Sequence, residues 1–599
     1  MDRKSIIVLV VCFGALLAWQ PLVVNKIWPP KPQTRTNTVA ALQPPGTNAP
    51  APVQAAAPDP QAGANALALA PMLPADSKEE TIRLETPDAH YIFTSHGGGL
   101  KDVELIHYKD AVPKKRGEKA SQAWATLNTP ARAPAMAILG LTSGENDGVY
   151  SLRRTEKGVR AERALTNGLS ITKEFTPGSN YLMSVVVRIA NGSGQTLTLP
   201  PQEWIAGTAT PLSREDDGSV VGVMWYNGSK AEDISAGWFA NATLGCLPGT
   251  PRTEYTGGES NVFWAAPHNQ FFAMAMMTKD PAHKLSIRRI DLPPPTIAEA
   301  SADKRLNKKP YAYESALVFP GIILDPGQSF ERKLSVFAGP KEYRTLAAIA
   351  AGAKNNVDEV MGFGGFFGFF SKALLLSMNW LHSSMSLSYG LAIIAITIIM
   401  KALFWPLTRA STRSMKRMAA LQPQMKAIQA KYKEDPVKMN RKTMEFMKEH
   451  KVSPLGGCLP MVLQMPVFIG FFYMIRSAIE LRGASFLWVA DLSRPDTLFL
   501  IPGINFPFNL LPLIMGVTML WQAHLTPPSP GMDPMQQKIM KYMPLMFMVF
   551  LYNFSAGLTL YWTVQNLLTI LQTKLTKETP AAAVMPATPQ PPQKKRHKG

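Results

Sequence analysis

SLSYGLAIIAITIIMKALFWPLTRASTRSMKR, residues 386–417, opens as an apolar run long enough to cross a bilayer and closes in a cluster of basic residues. A helix needs roughly 20 residues to span the hydrocarbon, so residues 387–407 are predicted to span. One cation, Lys401, interrupts the inner half of the run, about six residues or roughly 9 Å from the basic end. An ammonium at that depth costs about 2.5–3.5 kcal/mol and normally faces protein or water rather than lipid. The pattern predicts a wet, positively charged feature inside a membrane protein.

The surrounding composition fits that reading. The 599-residue chain divides into a polar first half and a very apolar last third, and its 62 Lys and Arg outnumber 43 Asp and Glu. The excess is local. Residues 407–452 carry twelve basic and four acidic side chains, and residues 574–599 carry six and one. Basic charge beside apolar spans marks cytoplasmic loops and does not require nucleic acid, although ribosomal RNA fits such segments. Cys12, Cys246 and Cys458 are too scattered for a disulfide framework or a zinc site.

Residues 1–28 read as an uncleaved anchor with its N-terminus inside: an apolar run follows a short charged start, and no A-x-A site ends it. Residues 29–78, rich in Pro, Ala, Gln, Thr and Asn, read as a flexible tether. From 79 to 353 alternating runs recur between turn residues, among them TIRLET, LSITKEF, YLMSVVVRIAN, FFAMAMM and RKLSVFAG. That spacing predicts a large antiparallel β-sandwich outside the cytoplasm, ending in a helix at 341–353. Its histidines, His90, His96, His107, His268 and His283, have no metal-ligand spacing and no evident nucleophile. They read as surface and turn residues. No metal, cofactor or small-molecule substrate is expected, and no catalytic residue.

Residues 354–384, with their aromatics, glycines and Lys372, suit a helix lying in the outer interface; a further span is the alternative. Residues 408–452 show helical periodicity broken at Glu434-Asp435-Pro436, a basic, methionine-rich helical hairpin in the cytoplasm. It is either self-packed and solvated or a mobile surface that meets apolar nascent segments, for which soft methionines are suited. Met415, Met418, Met425, Arg413, Lys416 and Arg417 are its candidate contact residues. Residues 454–479 and 498–522 are further spans. Residues 538–573, roughly 54 Å as one helix, are too long for one crossing and break at Asn553-Phe554-Ser555-Ala556-Gly557. The expectation is a multidomain, multi-pass protein: six transmembrane helices with both ends inside, a five-helix core at 385–577, and a basic cytoplasmic tail at 578–599.

Within that core, SPLGGCLPMVLQMPVF (453–468), DPMQQKIM (533–540) and SAGLTLYW (555–562) resemble the YidC/Oxa1/Alb3 membrane insertases. The anchor and large outer domain resemble the Gram-negative form, in which that domain is a periplasmic β-sandwich without known catalysis. The resemblance implies a non-enzymatic insertase and chaperone of the bacterial inner membrane. It would move client transmembrane segments and short hydrophilic tails through a positively charged hydrophilic groove open to cytoplasm and lipid. Its implied partners are nascent membrane proteins and the bilayer, with the Sec translocon and the ribosome as candidates.

Lys401 matches the groove cation, where the family commonly has arginine. The charge survives the exchange; the forked donor does not. Snorkelling of Lys401 to the inner interface is the alternative. Thr397, Gln464, Gln522 and Trp562 are further groove candidates, with helix–helix hydrogen bonding or packing as their ordinary roles. Met461, Met465, Phe468, Phe472, Met546 and Phe550 are candidates for a hydrophobic slide, or lipid-facing filler. The rival function is a polytopic transporter or channel with a periplasmic binding domain. Coupled carriers usually place carboxylates in their spans, and the last five spans contain none.

Overall fold

The computed structural model describes residues 78–576, apart from 114, 120, 130, 142–147, 214–215, 217, 243–248, 298–309, 451–458, 503–505 and 526–533. The expected anchor, nearly all of the tether, the basic tail, all three cysteines and the start of the 453–468 motif lie outside the described residues.

Between Thr81 and Pro340 the described residues form four antiparallel sheets, one of them only the short pair Leu197–Leu199 and Ile322–Leu324. The largest has nine strands, in the order Ala231–Ser235, Gly222–Tyr226, Val262–His268, Phe272–Ala282, Ser329–Pro340, Leu182–Asn191, Leu169–Pro177, Gly158–Ala164 and Ser151–Thr155. Against its first half packs a five-stranded sheet, Glu254–Gly257, Lys284–Asp291, Tyr311–Phe319, Gln202–Ala209 and Ile138–Leu139. A four-stranded sheet formed by Thr81–Glu85, Ala89–Thr94, Gly99–Lys109 and Trp124–Leu127 touches the other half. In Leu169–Pro177 and Leu182–Asn191 every second residue is buried, as expected where one face meets the core. Gln202–Ala209 is buried along its whole length, because Trp204 and Ala206 enter the inter-sheet core while Ile205 enters a second cluster with Ala137, Leu139 and Ala316.

Ten α-helices follow among the described residues: α1 (Tyr343–Ala353), α2 (Gly365–Met385), α3 (Tyr389–Leu403), α4 (Trp405–Ala420), α5 (Gln422–Lys431), α6 (Pro436–Glu449), α7 (Leu459–Ser477), α8 (Leu510–Leu525), α9 (Pro534–Phe550) and α10 (Ala556–Leu575). α2 packs on α7, and α10 packs against α3, α7 and α8. Together they bury one contiguous apolar core with the β-domain.

The apolar run that opened the reading is not one helix. α3 ends at Leu403, Phe404 is non-helical (φ −86°, ψ 0°), and α4 starts at Trp405. Pro406 explains the break: it has no N–H, and its ring blocks the carbonyl one turn back. Thr408 caps the junction, its hydroxyl donating to the carbonyls of Phe404 (2.9 Å) and Trp405 (3.2 Å). No single described helix is long and apolar enough to cross a membrane; α2 and α3 pass that test only as a pair bent by 119°. Ser388 caps the start of α3 at this bend, accepting from the Leu391 amide.

The 408–452 segment is three helices rather than two arms, because Pro423 begins a new helix after Leu421. The second break falls at Asp435-Pro436, where Asp435 accepts from the Lys438 amide (3.0 Å) and Pro436 takes the first helical position. Met418, Leu421, Met425 and Met447 form a small core there, with Phe446 against it.

Candidate functional site

Polar residues recur along α10 at Thr559, Thr563, Asn566, Thr569 and Gln572, in steps of three and four that place much of this polarity on one side, with Thr573 beside them and Thr576 just past the helix end. Five of these threonines donate to the carbonyl four residues back, which leaves their lone pairs for neighbours. The neighbours come from α3, α4 and α8. Gln572 Nε2 donates to Thr408 Oγ1 (2.6 Å), Asn566 Nδ2 to Thr518 Oγ1 (3.2 Å), and Lys416 Nζ to the Thr576 carbonyl (2.9 Å).

Lys401 enters this seam from the last turn of α3. It is 5% exposed, and its Nζ donates to Thr569 Oγ1 at 2.9 Å. Lys401 is thus largely buried, while the Thr569 it bonds to is only half-buried. The ammonium is packed between α3 and α10. No Asp or Glu occurs in α2–α5 or α7–α10, so the charge has no carboxylate on these helices to neutralise it.

Thr397, one turn before Lys401, is fully buried and donates to the Ile393 carbonyl (2.7 Å). Gln464 on α7 and Gln522 on α8 are half-buried. Trp562, two turns before Thr569, packs edge-on against Phe468 with ring centres 4.6 Å apart, and near Phe547. Of the slide candidates, Phe468 and Phe472 turn toward the aromatics Trp562 and Phe554, whereas Met465, Met546 and Phe550 are exposed, Phe550 by 74%. Met418 and Met425 are buried in the hairpin's own core; Arg413 and Arg417 are exposed. The side chains of Met415 and Met461 lie outside the described residues.

Two features escaped the sequence reading. One is the docking of the β-domain on the end of α7 and the loops that follow it. Arg494 pairs with Asp216 (2.8 Å), Arg476 donates to Ser219 (3.1 Å), and Arg482 donates to the Asp110 carbonyl (2.9 Å). These residues lie hundreds of positions apart, so no local pattern announces them. The other corrects the reading of His268 as a surface residue. It is buried at the end of an interior strand, with Nδ1 3.0 Å from Lys341 Nζ and Nε2 3.3 Å from Asp233 Oδ1. Burial pushes the Lys341 amine down to about 7 and the His268 imidazole below its usual range. Asp233, though desolvation opposes it, is held low by His268 and the nearby cations. Among the described residues no group of three His, Cys, Asp or Glu side chains could hold a metal ion.

A family model described as "YidC periplasmic domain" matches residues 81–376, and one described as "60Kd inner membrane protein" matches residues 380–582. The chain is 31% identical to a membrane protein insertase YidC of Syntrophus aciditrophicus (strain SB), over 96% of this chain and 98% of that one. It is 33% identical to the membrane protein insertase YidC of Neisseria meningitidis serogroup B, over 84% and 88%. A structure described as an active YidC insertase with its first transmembrane domain resolved aligns at a TM-score of 0.33, with 18% identity over 84% of this chain and 94% of its own. A galactose mutarotase-like protein from Lactobacillus casei aligns at 0.27 with 11% identity over 43% of this chain and 100% of its own. From the two family matches and the near full-length relatives, the chain belongs to the YidC family of membrane protein insertases.

Proposed function

We propose that this insertase passes the short hydrophilic tails of its clients along the seam between α3 and α10, with Lys401 as the point charge that receives acidic tails. The observation that carries the reading is a buried ammonium held by one neutral hydroxyl, among helices that carry no acid. A cation so placed is stabilised by any carboxylate that reaches it, because a charge-assisted hydrogen bond is roughly twice as strong as a neutral one. The seam opens as the tail enters. Meanwhile the client's apolar segment leaves along exposed side chains such as Met465, Met546 and Phe550 into lipid. Transfer of that segment is the driving force, at roughly −0.3 to −0.6 kcal/mol for each Leu, Ile, Phe or Val, so no nucleotide is needed.

In this reading the N-terminal segment and α3, α7, α8, α9 and α10 make six crossings, with both ends and the hairpin at residues 408–452 in the cytoplasm. α2 lies in the outer interface, with Phe366, Phe369, Trp380 and Met385 exposed to it. The periplasmic β-domain docks above. The Sec translocon and the ribosome are candidate partners at the two faces.

The test is reconstitution of the full chain in liposomes, scoring protease protection of a single-span client with a short acidic tail. Lys401→Ala is expected to lower the insertion rate about tenfold, and Lys401→Arg to retain most of it. Full-rate insertion of every acidic-tailed client by the alanine variant would remove Lys401 from the mechanism.

A further inference from the structure

Thr569 has a chemical role at this seam that its residue type does not announce. Its hydroxyl has one proton, and that proton is committed: Oγ1 donates to the Gln565 carbonyl at 2.7 Å. What Oγ1 offers Lys401 is therefore only lone pairs. The Lys401 ammonium carries three donors on a flexible four-carbon stem, whose natural tendency near a helix end is to swing toward water. Here it stays buried, with Thr569 as its hydrogen-bond acceptor.

The geometry points to Thr569 as the positioning residue for Lys401, a resting acceptor that holds the ammonium inside the seam and yields it to the carboxylate of an arriving client tail. The inference rests on the proposed role of Lys401. A neutral hydroxyl is strong enough to fix one side-chain conformation, and weaker than the anion that replaces it. A carboxylate in its place would hold the charge against the client. An apolar residue would leave the ammonium no fixed position between the helices. The exchange breaks one hydrogen bond to Thr569 and forms one to the client carboxylate, with no change in protonation. The same bond ties α3 to α10, so arrival of the tail releases the two helices where the seam must open. Serine keeps the hydroxyl and its donation one turn back; valine keeps the shape and loses the acceptor.

The test uses the full chain in liposomes with two clients that differ only in an acidic or a neutral tail, and reads the ratio of their insertion rates. Thr569→Val is expected to lower the acidic-to-neutral ratio about fivefold, and Thr569→Ser to restore it. Thr569→Ala carries the same comparison if the valine variant does not accumulate. A merely structural role would slow both clients alike and leave the ratio unmoved. That result overturns the inference, as does a serine variant no better than valine. Lys401→Met in parallel separates the two ideas. If it lowers the ratio and Thr569→Val does not, only the role of Thr569 fails; if neither lowers it, the proposed role of Lys401 fails as well.

Discussion

At Lys341 the chain buries another amine, and this one carries a pH signature. In the unfolded chain its amine titrates near 10.5; in the fold burial brings it to about 7, and Arg476 at the end of α7 opposes its charge further. Between those two values the unfolded state binds more protons, so stability rises with pH across roughly 7 to 10. His268 and Asp233 are both held below their usual values, so their contributions also fall away as pH drops, beginning below about 6.5 and about 3.8 respectively. The melting temperature of the β-domain, followed by the fluorescence of buried Trp204 and Trp264, is expected to climb from pH 7 to 10 and to lose that climb in Lys341→Met. An unchanged slope in the variant would mean that another group titrates there. Single residues also mark what the sequence could say. Lys401 stands out because it is one cation in an apolar run. Thr569 does not, because it is one threonine among several on α10, and its meaning comes from a partner 168 positions away. His268 looks like any turn histidine until the strands on either side bury it.

Among the elements, glycines decide how closely helices approach. A Cβ added at Gly470 on α7 would lie 2.7 Å from the Phe370 Cβ and 3.3 Å from backbone atoms of α2, where Ser371 donates to the Gly470 carbonyl (3.1 Å). Backbone and Cβ atoms cannot swing aside. Gly470→Ala is therefore expected to force α2 off α7 and to cost about 1–3 kcal/mol in thermal unfolding in detergent. A Cβ at Gly516 on α8 meets instead the flexible end of Met548, which can move, so Gly516→Ala is expected to cost less. Equal losses at both sites would refute this account of the packing. Legibility at this scale follows periodicity. The runs LSITKEF and YLMSVVVRIAN alternate because one face is solvated, and they are strands. Gln202–Ala209 is covered on both faces and gives no alternating signal. The break at Phe404 was written in Pro406, but an apolar run of spanning length outweighed it.

Across the whole molecule, polar contacts of arginines reinforce the shared apolar core that joins the β-domain to the helices. Arg494 and Asp216 are both largely shielded, and Arg482 lies over the rings of Phe271 and Phe272. Arg494→Ala is expected to loosen the docking by about 1 kcal/mol, read as faster hydrogen exchange at residues 218–226 with exchange in α10 unchanged. Exchange unchanged at 218–226 would place the attachment elsewhere. Nothing local in the sequence pairs these residues, since sheet order and domain docking are set by contacts across more than 250 positions. The division into a β-rich domain and a helical core was legible, because composition and periodicity both change near residue 341. The bond between Lys401 and Thr569 was not legible, since it joins residues 168 positions apart. The central claim is that the buried ammonium on α3 receives client carboxylates. Zero-length carbodiimide crosslinking of a stalled, acidic-tailed client in liposomes tests it most directly. The account predicts an amide between the client tail and Lys401; a client that inserts while its tail crosslinks only to Lys416, Lys574 or other surface amines would contradict it.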